Sequence, residues 1–170
     1  MQPKERAFNF YKSAVIAFGG FSFIYALSHL DAKVFDWNFA TFAVFTLLIA
    51  SKMNITLPHS KYVLSFSDSM VFLAFLLFGG EAAIFIAALE PLVVGFHLRY
   101  LGIIKQPIHI VLNVTIATLS TTLVYYVAVI LPISLGFSLD FSETKVLIST
   151  LGILALSQFL FSSIFASIFF

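Results

Sequence analysis

The sequence has no cysteine and few charged residues. Only 10% of the 170 residues are Asp, Glu, Lys or Arg, and the formal net charge is +1. The absence of cysteine excludes disulfides, thiolate metal sites and a cysteine nucleophile. The low charge argues against nucleic-acid binding, because a polyanion is held by many lysines and arginines that displace its counterions.

Apolar side chains are in excess instead, at 61% of the residues, where a typical soluble domain has about 45–50%. One water-soluble core of this size cannot bury so many apolar groups. The sequence therefore predicts an all-α integral membrane protein whose solvent is the lipid bilayer, and it excludes soluble enzymes and disordered chains. The first apolar run, Ser13–Leu30, is long enough to be a span and too long for a cleavable signal.

The apolar runs predict a single membrane domain over residues 1–170, built as a bundle of six transmembrane helices. A span needs about 20 apolar residues, so the third segment is expected to be short or re-entrant. Gly79 and Gly80 separate it from the fourth segment as a helix hairpin. The predicted segments are 8–30, 34–51, 68–78, 81–98, 107–131 and 144–170.

The basic residues predict that both termini are cytoplasmic. With the amino terminus inside, only Lys33 and Lys145 of the nine lysines and arginines lie outside, as the positive-inside rule requires for short loops. The last segment stops at Phe170 while still apolar, without a polar anchor. We therefore expect the chain to be the amino-terminal part of a longer protein. The residues assigned to the inside are Lys4, Arg6, Lys12, Lys52, Lys61, Arg99 and Lys105.

Glu90 lies about halfway along the fourth segment, where an ionisable side chain costs several kcal/mol. Pro91 frees a backbone carbonyl one turn earlier and favours a kink, and His97 lies on nearly the same helix face. Together these groups could bind a cation, a proton or a cationic ligand. The alternative is a protonated Glu90 that donates one hydrogen bond to another helix.

A second polar stripe runs along the fifth segment. Its spacings of three, four and seven residues place the side chains on one side of a helix, facing protein or a cavity. The stripe either lines a pocket shared with Glu90 or supplies hydrogen bonds that hold the bundle together. It consists of Gln106, His109, Asn113 and Ser120.

The polar stretch 54–69 alternates like an extended segment on a surface. Ser65 and Asp68 are spaced like a capping box, and Ser67 is an alternative N-cap. Extended backbone could enter the membrane before the third helix, which is tolerated only inside protein or along a cavity. The alternative is an interfacial loop with an ordinary cap.

No catalytic motif, metal-ligand spacing or phosphate-binding glycine loop occurs, so no enzyme activity, metal or cofactor is predicted. The candidate ligand-binding residues are Asp68, Glu90, His97, His109 and Asn113.

The run LSFSDSMVFLAFLLFGGEAAIFIAALE, residues 64–90, resembles the membrane regions of bacterial signalling proteins that end in HD-GYP phosphodiesterase or GGDEF diguanylate cyclase domains. There an S-x-S-x-(A/D) entry precedes a short helix, L-(F/Y)-G-P and an alanine-rich helix. Here Gly80 replaces the usual proline. The resemblance implies a sensory input domain of the bacterial inner membrane that regulates cyclic-di-GMP signalling. Its implied partners are the bilayer, a small-molecule ligand, a fused or separate cytoplasmic output domain beyond residue 170, and a second copy of the chain.

The same run is similar to the substrate-binding subunits of energy-coupling-factor vitamin transporters. Those carry F-S-D-(I/L)-P at the entry of a short helix that ends in F-G-P. Residues Ser67-Asp68 and Phe78-Gly79 match this pattern. In those carriers the extended loop faces outward, whereas the charge count places it inside here. A solute-binding transporter subunit is therefore the alternative function.

Overall fold

The chain is described here from a computed structural model, which describes residues 3–49, 54–56, 63–136 and 139–167. Lys52 and Lys61, on which part of the predicted orientation depends, lie outside the described residues, as do the ends of the second and sixth predicted segments. The helices are α1 (Pro3–His29), α2 (Trp37–Leu48), α3 (Phe66–Phe78), α4 (Gly80–Tyr100), α5 (Ile108–Tyr125), α6 (Leu131–Ser134) and α7 (Thr144–Ser167).

The prediction of a helical membrane protein is confirmed in its general form. Four helical stretches are long and apolar enough to cross a membrane. Large apolar side chains on their outer surfaces are exposed, for example Phe21 at 69% and Leu156 at 68%. Exposed apolar surfaces of this kind mark contacts with a membrane or with another protein, and helices of this length suit a membrane. The four stretches are Phe10–His29, Gly80–Tyr100, Ile108–Ser134 and Thr144–Phe165.

Two of the six predicted segments are too short to cross alone. α2 has 12 residues and α3 has 13, which gives each a length of about 20 Å against a hydrocarbon core of about 30 Å. α2 starts at Trp37 because Asp36 caps it, with the carboxylate accepting a hydrogen bond of 2.8 Å from the Phe39 N–H. The predicted second segment began at Val34, in the 3₁₀ turn that precedes this cap. The six predicted segments therefore correspond to four long helices and two short ones, and the third is short as predicted.

A small antiparallel ladder lies between α2 and α3. Strand β1 (Asn54–Thr56) pairs with β2 (Val63–Ser65), and Ile55 is the partner of Leu64. α3 follows β2 directly and begins at Phe66. This start leaves Ser67 inside the first turn of α3 and so rules it out as the N-cap residue.

A single residue joins α3 to α4. Gly79 has φ +94°, a left-handed conformation that a residue with a Cβ adopts only with strain. Gly80 begins α4, as the predicted helix hairpin requires. α4 then continues to Tyr100 through Pro91.

α5 is the central helix of the bundle, since α1, α4 and α7 all pack on it. Three glycines allow close approach, one where α1 crosses α5 and two where α4 crosses α5. A Cβ added at Gly19 would lie 2.5 Å from the Thr115 carbonyl oxygen, and one at Gly95 would lie 2.8 Å from the Ile110 Cγ2. A Cβ at Gly80 would overlap the Tyr125 ring. Small residues at helix contacts are how membrane helices gain van der Waals packing.

The helical stretch that starts with α5 continues through a π-helical turn (Tyr126–Ile130) and α6 to Ser134. It therefore ends three residues after the predicted segment, which ended at residue 131. Pro132 has no N–H to donate to the carbonyl one turn earlier, which explains the widened turn.

In the loop before α7, Asp140 accepts hydrogen bonds from the Ser142 N–H (2.9 Å) and hydroxyl (2.7 Å). These bonds hold the pKa of the Asp140 carboxyl below its usual range.

A buried apolar cluster joins α2, α3, α4, α5 and α7, and its members include Phe39, Ala74, Ala83, Val124 and Leu154. Aromatic rings hold α2 on this cluster. The Phe39 and Phe78 ring centroids are 5.2 Å apart in an edge-on arrangement, a favourable geometry for aromatic pairs. α2 therefore lies beside the end of α3 and the start of α4.

Candidate functional site

Two of the five predicted site residues, Asp68 and Glu90, lie together where the first turn of α3 packs on the middle of α4. The Ser67 hydroxyl hydrogen-bonds with the Glu90 carboxyl, and the Asp68 carboxylate is near enough to interact with Glu90 electrostatically. We call Ser67, Asp68 and Glu90 the carboxyl site.

The hairpin geometry explains this contact. Ser67 lies 12 residues before Gly79 and Glu90 lies 11 residues after it, so the antiparallel helices bring the two positions to the same level. Glu90 is the middle residue of α4, about 15 Å from either end of that helix. The first turn of α3 therefore begins at the mid-depth of α4.

This placement gives the carboxyl site a specific electrostatic environment. The first turn of a helix has backbone N–H groups without intrahelical partners, and they carry about half a positive charge in total. Asp68 lies in that turn of α3, next to these N–H groups. Glu90 faces the same turn from α4.

Burial differs among the three side chains. Ser67 is 4% exposed, Glu90 is half-buried, and Asp68 is exposed at the surface. The bond to Ser67 joins Glu90 to a second helix. A protonated Glu90 that donates this bond, which is the simpler of the two interpretations, stays a prediction. The exposed Asp68 remains accessible beside it. The pair of carboxyls could hold a proton, a metal cation or an organic ammonium group at this position.

The other three predicted residues are placed differently. His97, His109 and Asn113 all have exposed side chains, whereas Ser120 of the same predicted stripe is fully buried. The stripe is therefore not one uniform surface. α7 packs on α5, and this contact explains how burial can change along one helix face. Gln106 lies before the start of α5 and is exposed.

Ser120 belongs to the predicted stripe, but the buried threonines beside it on α5 were not predicted. The Thr118 hydroxyl donates to the Val114 carbonyl at 2.7 Å. Among the described residues, Ser120 Oγ and Thr121 Oγ1 have no hydrogen-bond partner, and neither has Gln158 Oε1 of α7. The run Thr118-Leu-Ser-Thr-Thr122 was the available signal, since hydroxyl-bearing residues are enriched where membrane helices pack.

Within the described part of the chain, no three His, Asp or Glu side chains are grouped so as to hold a metal ion. Comparison of the chain with protein-family models, curated proteins and solved structures gives no match.

Proposed function

We propose that this chain is a membrane-embedded sensory input module of the bacterial inner membrane, and that the carboxyl site is its sensing element. The observation that carries the proposal is the docking of the first turn of α3 against Glu90, at the mid-depth of α4. A helix that starts inside the membrane places ionisable groups where they are costly, and such groups usually serve function.

In this proposal the chain forms four complete spans. Between the first two spans, α1 and α4, the helix α2, the β-ladder and α3 form a re-entrant element. Arg99, Lys105 and both termini lie on the cytoplasmic side, and Lys33 and Lys145 lie outside. This arrangement follows the positive-inside rule. Both helices of the re-entrant element pack on α4, and α3 also contacts α7, which gives the element the protein surroundings that it needs inside a membrane.

The proposed mechanism is a shift between two packings of α3. In one packing Ser67 is bonded to Glu90, and in the other a ligand or a membrane property competes for the carboxyl site and releases the first turn of α3. An input changes the populations only by its differential affinity for the two packings. Because α7 contacts both α3 and α5, the change would reach α7 and then a cytoplasmic output domain after it, of the cyclic-di-GMP type.

The proposal is tested by joining a diguanylate cyclase catalytic domain to the carboxyl end of the chain and measuring cyclic-di-GMP in cells. We expect Glu90→Gln and Asp68→Asn to change the output about fivefold or more, which is the size of a typical coupling free energy. Glu143→Gln, in an exposed loop, is the matched control and should leave the output unchanged. Equal output from all four chains at equal membrane levels would refute the sensory role.

A solute-binding transporter subunit is the second candidate, and one observation favours it. Half-helices that start at mid-membrane are how many transporters build their substrate sites, and α3 starts at the mid-depth of α4. A gene for a paired ATPase beside this one would support the transporter. A cyclase or phosphodiesterase domain encoded in the same reading frame would support the sensor.

A further inference from the structure

A cavity of about 280 Å³ lies along the seam between α4 and α5, on the side away from the carboxyl site. Three of its residues, Leu92, Phe96 and Arg99, are spaced by four and three positions and so share one face of α4. The α5 wall is formed by Pro107, Ile110, Val111, Val114 and Thr115.

The cavity is apolar along its length and charged at one end. The only polar side chain on the α5 wall is Thr115, and its hydroxyl is occupied by bonds to the Val111 and Leu112 carbonyls at 2.9 and 3.0 Å. Leu92 and Arg99 are seven residues apart, so the apolar wall of α4 extends about 10 Å from the guanidinium. The matching occupant has a long apolar part next to an anion.

Arg99 is available to such an anion. The Arg99 side chain is exposed, and its guanidinium makes no hydrogen bond or ion pair with the residues that the structure describes. The turn after α4 holds Arg99 near the start of α5, because the Ile103 N–H donates to the Leu98 carbonyl at 2.9 Å. Lys105, in the same connection, adds a second exposed positive charge at this end of the helices.

We propose that this cavity binds an anionic phospholipid, with one acyl chain against the apolar walls and the phosphate paired with Arg99. The cavity opens sideways where Phe96 is 56% and Val111 is 43% exposed, so a lipid can enter from the bilayer. Basic pockets between membrane helices bind anionic headgroups in this way. A free phosphate would leave the apolar walls uncovered, and the volume is too small for a peptide helix.

The first test measures lipid binding to the purified 170-residue chain by native mass spectrometry, with dioleoyl phosphatidylglycerol and dioleoyl phosphatidylcholine as probes. We expect phosphatidylglycerol to bind more tightly and Arg99→Gln to weaken its binding about fivefold. Arg99→Lys should retain most of the preference, and the exposed Lys145→Gln should not change it. Equal binding of the two lipids, or an unchanged preference in Arg99→Gln, would overturn the proposal.

The second test locates the acyl chain. Trp37 is the only tryptophan, so a Trp37→Phe, Phe96→Trp chain reports on the cavity alone. We expect phosphatidylglycerol with brominated acyl chains to quench this fluorescence, and Arg99→Gln to reduce the quenching. Displacement of the lipid by millimolar inorganic phosphate would assign Arg99 to a free anion and contradict the proposal. Val111→Phe, which fills the opening, should also abolish the quenching.

Discussion

Replacement of Gly19 by alanine is expected to lower the free energy of unfolding by about 1–3 kcal/mol, the usual cost of overpacking a tight contact. The added Cβ would lie 2.5 Å from the Thr115 carbonyl oxygen, 2.7 Å from the Thr115 Cβ and 2.9 Å from the Thr115 Cα. Two of these three close contacts are backbone atoms, so the clash cannot be relieved by rotating one side chain. α1 and α5 must move apart, and the loss should appear in unfolding of the purified chain by denaturing detergent.

Gly20 is the matched control, because a Cβ there has no atom within 4 Å. Gly20→Ala should leave the stability unchanged or raise it by up to about 1 kcal/mol, since alanine is the better helix former. Equal stabilities of Gly19→Ala and Gly20→Ala would show that α1 does not pack on Thr115 of α5 at Gly19.

Glu90→Ala is expected to lower the free energy of unfolding by about 1–3 kcal/mol. It removes the hydrogen bond between the Ser67 hydroxyl, which is 4% exposed, and the carboxyl, and the loss of a buried hydrogen bond to a carboxyl has a cost of about that size. Glu90→Gln keeps an oxygen that can accept the same bond, so we expect its stability to be close to that of the parent chain. Thermal unfolding in detergent micelles measures both variants.

The two Glu90 variants separate a structural role from a sensory one. The loop variant Glu143→Ala should change stability by less than about 0.5 kcal/mol, as exposed substitutions do. If Glu90→Gln matches the parent chain in both stability and reporter output, Glu90 is only a hydrogen-bond partner. If Glu90→Ala is as stable as the parent chain, the contact between α3 and α4 at Ser67 is wrong.

The positions of the helices could be predicted from the sequence because polar residues bound each apolar run. Gly79 forms the predicted turn between α3 and α4, and α4 begins at Gly80, one residue before the predicted start at residue 81. The number of complete spans could not be predicted in the same way. The hydrophobic run starting at Val34 includes the Asp36 cap, which delays α2 to Trp37 and shortens it to 12 residues. Capping competes with hydrophobicity at a helix end, and composition does not show which one sets the boundary.

The candidate site was only partly predictable. Glu90 is conspicuous because a carboxyl in an apolar segment is costly, and counting outward from Gly79 aligns Glu90 with Ser67 and Asp68. The sequence could not show that His109 and Asn113 are exposed while Ser120 is buried. A helix period places residues on a common face, but the helices packed around it decide which part of that face is covered. The burial of the α5 hydroxyls could not be predicted for the same reason, because it depends on the helices that pack on α5.

α3 begins at the mid-depth of α4, with its first turn against Glu90. Because the chain has no cysteine, two introduced thiols test this placement directly by oxidation in isolated membranes. We expect a Ser67→Cys, Glu90→Cys chain to form an intramolecular disulfide and a Ser67→Cys, Tyr100→Cys chain to form none. Tyr100 lies ten residues further along α4, about 15 Å away. Cross-linking to position 100 without cross-linking to position 90 would place the start of α3 at the end of α4 and contradict this placement.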